Sequence, residues 1–148
     1  MQVKIENATI KLLDKLYRIE AECFNEEAFT KQQISYLLTD YNTIALVAKA
    51  NQDIAGFIIT QIQAAETEYG HVITVNVKPN YRRTGVGTKL LYEIESQLKL
   101  RGINECHLEV REDNNAAIKL YHKLGYQTMG KLEKYYGKKH GIYLKKVI

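Results

Sequence analysis

Apolar and polar residues alternate over Val3 to Glu6, which predicts a short first strand. The spacing then changes. Ile10, Leu13, Leu16, Tyr17 and Ala21 recur at helical intervals, with Asn7 or Thr9 placed as N-cap, and this predicts a helix to about Cys23. The pattern breaks from Phe24 to Thr30. Thr30 can cap a second helix over Lys31 to about Thr39, carrying Ile34, Leu37 and Leu38, and Asp40-Tyr41-Asn42 reads as a turn. Ile44 to Ala50 and Ile54 to Gln63 are β-rich runs around a short hairpin loop, Asn51-Gln52-Asp53. A polar connection, Ala64 to Gly70, leads to a strand over His71 to Val77, ended by Lys78-Pro79-Asn80.

Past that proline, Val86, Leu90, Leu91, Ile94 and Leu98 form the apolar stripe of a helix reaching about Arg101, stopped by Gly102. Ile103 to Arg111 reads as a strand. A helix opened by Asn114 or Asn115 runs through Leu124 and stops at Gly125. Tyr126 to Tyr136 and His140 to Val147 are final strands around Gly137-Lys138-Lys139. The order is β-α-α-β-β-β-α-β-α-β-β, an α/β sheet with mixed strand directions. Both later helices join consecutive strands by crossovers, expected to be right-handed.

Length and composition narrow this picture. The 148 residues read as a single domain, 1–148, of a size that buries roughly 68–70% of its unfolded surface. An apolar share of 45% and a charged share of 26% suit a soluble globular protein, and one proline argues against linkers. No apolar run approaches the roughly 18 residues of a membrane span, and the N-terminus mixes charges throughout, so no membrane association and a cytoplasmic location are expected. Cys23 and Cys106 form neither a metal spacing nor a disulfide framework, and no metal is expected.

Charge adds a direction. Residues 1–70 carry 6 Lys/Arg against 10 Asp/Glu, while residues 71–148 carry 15 against 7. The second half should therefore meet an anion, either nucleic acid or a polyphosphate cofactor. The natural place is Tyr81-Arg82-Arg83-Thr84-Gly85-Val86-Gly87-Thr88, where a strand gives way to a helix. A helix start has unpaired amides and partial positive charge. Glycines let a phosphate approach the backbone, and two arginines add full charges in forked geometry.

Arg82-x-x-Gly85-x-Gly87 resembles the acetyl-CoA signature of the GNAT superfamily of N-acetyltransferases, Gln/Arg-x-x-Gly-x-Gly/Ala. It is followed by Leu108-Glu109-Val110-Arg111, Asn114-Asn115-Ala116-Ala117-Ile118, Leu120-Tyr121 and Leu124-Gly125-Tyr126. That ordered set is similar to the RimI-like branch, which includes the catalytic subunits of protein N-terminal acetyltransferases. The resemblance is dense from His71 to Tyr136 and looser toward both termini. It implies a GNAT fold: a mostly antiparallel central sheet splayed between its fourth and fifth strands, with helices on both faces. Acetyl-CoA would lie in the splay, its diphosphate on the amides from Arg83 to Thr88 beside Arg82. Val75, Asn76 and Val77 would pair with the pantetheine arm, and Asn114 would contact it.

Acetyl transfer to an amine requires a neutral amine, stabilisation of the charge developing on the carbonyl oxygen, and protonation of the leaving thiolate. A protein α-amine, with a pKa of about 7.7–8.0, asks less of a base than a lysine near 10.4. Glu109, matching the family's glutamate, is the candidate base, acting through a water; the alternative is that it pairs with Arg111 on the same strand face. Tyr121, twelve residues on, is the candidate acid for the thiolate, with packing as the alternative. His71 stands where some family members carry a second base. His107 shares the face of Glu109 and could tune it. Cys106 points to the opposite face from His107 and reads as core, so direct transfer in a ternary complex is preferred over an acyl-enzyme.

Two segments that shape the acceptor groove in this branch depart from their relatives. After Cys23-Phe24, relatives often show proline and an aromatic; here stand Asn25-Glu26-Glu27-Ala28-Phe29, in which Glu26 or Glu27 could meet an ammonium group. Tyr135-Tyr136 matches the family's pair at the peptide entrance, but the acidic turn that commonly follows is replaced by Gly137-Lys138-Lys139-His140. A basic rim there would favour acidic peptides. The expected acceptor is a protein N-terminus, with the ribosome or a ribosomal protein as partner. A lysine side chain, polyamine or small amine is the alternative acceptor. A non-catalytic CoA-binding or nucleic-acid-binding module is a third reading, though no RNA-binding signature supports nucleic acid.

Overall fold

In the computed structural model, which describes residues 2–148 and leaves Met1 outside them, the elements follow the order that the hydrophobic pattern predicts. Strand β1 (Val3–Asn7) precedes α1 (Leu13–Phe24) and α2 (Lys31–Thr39). The meander β2 (Thr43–Ala50), β3 (Asp53–Ala64) and β4 (Glu68–Val77) leads to α3 (Val86–Leu100). Strand β5 (Glu105–Arg111), α4 (Asn115–Lys123), β6 (Gln127–Tyr136) and β7 (Lys139–Val147) complete the chain. The sheet runs β1-β2-β3-β4-β5-β7-β6. Its neighbours are antiparallel except β4 and β5, which are parallel.

Each sheet face carries its own core. Leu16, Ile19, Ile34 and Leu37 of α1 and α2 pack on Val47, Phe57 and Ile59. Leu90, Leu91, Ile94 and Leu98 of α3 pack on the other face with Leu46, Ile58, Leu108 and Leu144, joined by Tyr121 and Leu124. Full burial of one such side chain stabilises by about 1.5–3 kcal/mol, so the two stripes lock the helices to opposite faces. The cap expected at Thr30 forms: its hydroxyl accepts from the Gln33 amide while the Gln33 side chain accepts from the Thr30 amide.

Three expectations need correction. Neither Asn7 nor Thr9 caps the first helix: Asn7 ends β1, and a 3-10 turn over Ile10–Leu12 precedes α1 without a side-chain cap bond. The polar connection shrinks to Ala65–Thr67, because Gln63 pairs with Tyr69 and Ala64 with Glu68, extending β4 back to Glu68. The Tyr69 hydroxyl donates to Gln63 Oε1 at 3.0 Å across that hairpin. The final strand begins at Lys139, so the last hairpin turn is shorter than expected. As expected, α4 connects the consecutive strands β5 and β6 by a crossover, with β7 inserted between them in the sheet.

Two features of β4 position the site. Ile59 pairs with Thr74 and Thr60 with Val72, so Ile73 is a bulge that reverses which side chains face which core. Val72 therefore joins the α3 side, whereas Thr74 and Asn76 bond to Glu20 of α1. Pairing of β4 with β5 stops at Gly70–Cys106 and His71–His107. Beyond those two pairs the strands part, which is the expected splay.

Candidate active site

One wall of the splay ends in a row of donors. Gly85, at φ +86°, is the N-cap of α3, and Arg83 has φ +62°. Lys89 is the first amide here to find a backbone acceptor, Gly85 O at 3.0 Å. Among the described residues, no amide from Arg83 to Thr88 has a protein acceptor. Six consecutive free amides at a helix start form a cradle for an anion. Arg82 does not point away from the chain: its Nε donates to Val77 O at 3.1 Å and its Nη2 approaches Cys23 Sγ at 3.7 Å. It ties the end of β4 to the cradle and keeps its charge there. Arg83 is exposed, and the Thr84 hydroxyl donates to Tyr81 O.

Above the last β4–β5 pair, Val75, Asn76 and Val77 keep β3 on one edge and have no strand on the other. An extended, amide-bearing ligand could pair with that edge. The Asn76 side chain is turned away from it, donating to Glu20 Oε1 at 3.1 Å and Thr74 Oγ1 at 3.1 Å. Asn114 uses its side chain to cap α4, accepting from the Ala117 amide at 3.2 Å.

At the crotch of the V, His71 Nε2 lies 2.7 Å from Glu109 Oε1 and 2.9 Å from Oε2. The parallel register explains the meeting. His71 stands opposite His107, and Glu109 is the next residue along β5 on the same face. A tautomer with the proton on Nε2 lets His71 donate to the carboxylate, while Nδ1 is buried without a partner. The Tyr135 hydroxyl also donates to Glu109 Oε1, at 3.4 Å. Burial and the adjacent Glu109 push the Tyr135 phenol above its ordinary value. Tyr136, edge-on to Tyr135 with centroids 4.9 Å apart, is raised by burial and then by Tyr135, Glu109 and Glu27.

Tyr121 is buried on α4, its ring edge-on to Tyr126 at 6.0 Å. Its hydroxyl makes no hydrogen bond to any described residue, and burial pushes the phenol up to about 12. Arg111 does not pair with Glu109. It binds Asp113 through two nitrogens, at 2.7 and 2.8 Å, and Glu27 Oε1 at 2.5 Å. The carboxylates hold its guanidinium protonated more firmly than usual. Glu27 is thus already engaged by a cation, while Glu26 is exposed.

Phe29 lines an open groove with Tyr36 and Leu37 of α2, Gln61 of β3 and Ile73 of β4. Gln61 is the cross-strand neighbour of His71, so the groove leads toward the His71–Glu109 pair. The basic turn is partly countered: Lys139 Nζ lies 3.8 Å from Asp113 Oδ2. His107 does not touch Glu109; it bonds Glu105 Oε1 at 2.9 Å and the Tyr143 hydroxyl, and stacks on Tyr69. Cys106 is fully buried on the opposite face, its thiol pushed by burial up to about 12.

Sequence reasoning missed Glu20. It is 1% exposed and accepts from Thr74 Oγ1, Asn76 Nδ2 and the Phe29 amide. A signal was available: an acid following Leu13, Leu16 and Tyr17 at helical spacing lies on the stripe that faces the core.

Residues 13–126 match the model of the acetyltransferase (GNAT) family. The chain is 29% identical over 157 aligned residues to an N-alpha-acetyltransferase of Sulfurisphaera tokodaii, covering 97% of this chain and 91% of the relative. The crystal structure of the ribosomal-protein-S18-alanine N-acetyltransferase from Escherichia coli has a TM-score of 0.88 at 25% identity, covering 99% of this chain and 94% of that one. Arabidopsis thaliana NAA60 in complex with acetyl-CoA shares the fold, with a TM-score of 0.87 at 15% identity over 99% of both chains.

Proposed function

The chain belongs to the acetyltransferase (GNAT) family, and from that premise we propose that it is a protein Nα-acetyltransferase, moving an acetyl group from acetyl-CoA to the N-terminal amine of a protein by direct transfer. The observation that carries this reading is the His71–Glu109 pair, set at the crotch of the splay beside an unpaired strand edge. A carboxylate and an imidazole suffice for an α-amine of pKa about 7.7–8.0. Similarity along nearly the whole chain to an N-alpha-acetyltransferase supports an N-terminus over a lysine side chain.

Acetyl-CoA supplies the thioester carbonyl that the amine attacks. In this proposal the amides from Arg83 to Thr88, with the charges of Arg82 and Arg83, hold its diphosphate, and the free edge of Val75–Val77 orients its arm. Glu109, held by His71 and Tyr135, accepts the proton that the amine gives up, directly or through a water. As the N–C bond forms and the C–S bond breaks, Tyr121 donates its phenolic proton to the departing sulfur. Bonded to no described residue, that hydroxyl is free to turn toward the sulfur, and because burial favours the neutral phenol the phenolate it leaves readily regains a proton. Tyr135, Tyr136 and Phe29 border the path of the acceptor, and a free Glu26 rather than the engaged Glu27 would meet its ammonium group. Asn114 contributes by fixing the start of α4.

A ribosomal-protein N-terminus belongs to this proposal as an acceptor, supported by the likeness to the S18-alanine enzyme, and so does action in the cytoplasm. Among the described residues no helix is long and apolar enough to cross a membrane. The deciding experiment incubates the protein and acetyl-CoA with peptides varied at their first two residues and locates the added acetyl group by mass spectrometry. Acetylated α-amines are expected; labelling confined to lysine ε-amines would overturn the reading.

A further inference from the structure

Glu20 is a carboxylate in a place where an apolar residue would pack. It is 1% exposed between α1 and β4, and no Lys, Arg or His forms an ion pair with it among the described residues. A buried carboxyl group without partners is costly, and here three neutral donors satisfy its oxygens. They are divided between two parts of the molecule. Oε1 accepts from Thr74 Oγ1 at 2.7 Å and Asn76 Nδ2 at 3.1 Å, both on the stretch of β4 whose far edge faces the splay. Oε2 accepts from the Phe29 amide at 3.1 Å, in the segment between α1 and α2.

That segment is held at both ends, by the Ala28 amide donating to Asn25 O at 3.2 Å and by the Thr30–Gln33 box, while the Phe29 amide between them has Glu20 as its acceptor. Asn25 turns with φ +49°, and Glu27 reaches Arg111. The side chain of Phe29 lines the groove leading to His71. We propose that Glu20 is a positioning residue: its carboxylate sets the acceptor-side segment against the donor-side strand, fixing Phe29 over the groove. This rests on the reading of the groove as the acceptor path.

Because the two oxygens serve different sides, Glu20→Gln separates them. The amide oxygen keeps the larger share of bonds by staying with Thr74 and Asn76. Its NH2 group then faces the Phe29 N–H, donor against donor. Losing that one bond should raise the KM for the acceptor peptide roughly ten-fold. The Kd for acetyl-CoA should stay within about two-fold, because the contacts to β4 survive. A merely structural role would move both constants together or neither. Hydrogen exchange gives a second readout: the Phe29 amide should be protected in the wild-type chain and exchange faster in the Gln variant, with β4 amides unchanged.

An unprotected Phe29 amide in the wild-type chain, or an unchanged acceptor KM in a folded Gln variant, overturns the proposal. A wild-type protein that acetylates no α-amine sinks the functional reading instead, and the exchange measurement still tests the tie. Should the Gln variant fail to fold, the wild-type exchange pattern decides alone.

Discussion

Glu109 and His71 are 38 residues apart in sequence and 2.7 Å apart in space. The sequence marks Glu109 through its neighbours but offers Arg111, two residues on and on the same face, as an alternative partner. That choice depends on where the ends of side chains go, and Arg111 goes to Asp113 and Glu27. Replacing Glu109 by Gln should lower kcat/KM by roughly 10²-fold or more, the usual worth of a positioned base. Tyr121→Phe should lower kcat far more than it changes the KM for acetyl-CoA. It should cost almost no stability, since the hydroxyl it removes bonds to no described residue. Steady-state rates and a thermal melt check both; an unchanged kcat would return Tyr121 to packing.

Elements follow the sequence where one periodicity dominates. The stripe of α3 and the Thr30 cap of α2 are local properties, set within one or two turns. Element edges are less local. Glu68 and Tyr69 become strand because β3 continues opposite them, and polar composition carries no trace of that partner. Nor does it reveal the bulge at Ile73 that turns Thr74 and Asn76 toward Glu20. Close contact between β3 and β4 makes this region sensitive. A Cβ on Gly56 would lie 2.3 Å from Asn76 O, a backbone atom that cannot swing aside. Gly56→Ala should therefore destabilise by about 1–3 kcal/mol, read from denaturant midpoints, and weaken acetyl-CoA binding by displacing the edge of β4. At the end of the same wall, Arg82→Ala with Arg83→Ala should reduce the rise in melting temperature that acetyl-CoA produces. No such rise at millimolar acetyl-CoA in the wild-type chain would contradict the cradle.

For the whole molecule, burial sets an alkaline limit. Cys106 is moved from 9.0 up to about 12, and Tyr121 from 10.0 up to about 12. Both are acids whose neutral form the fold favours. Above about pH 9 the unfolded chain therefore releases protons that the folded chain keeps, and stability falls as pH rises toward 12. Denaturant unfolding at a series of pH values should show that decline. Cys106→Ala should lessen its slope between about pH 9 and 10, where Tyr121 does not yet contribute, leaving the smaller share of Cys23, whose thiol burial also raises. The sequence by itself determined the order of elements, the α/β class, the basic second half and the glycine-rich helix start. Each depends on residues close in the chain or on sums over it. Only the tertiary structure decided that β4 and β5 part after two pairs, that His71 rather than Arg111 meets Glu109, and that a buried Glu20 joins β4 to the segment between α1 and α2. Those outcomes are contacts between distant segments. They follow from strand register and from the competition of side chains for partners, which no spacing within one segment encodes.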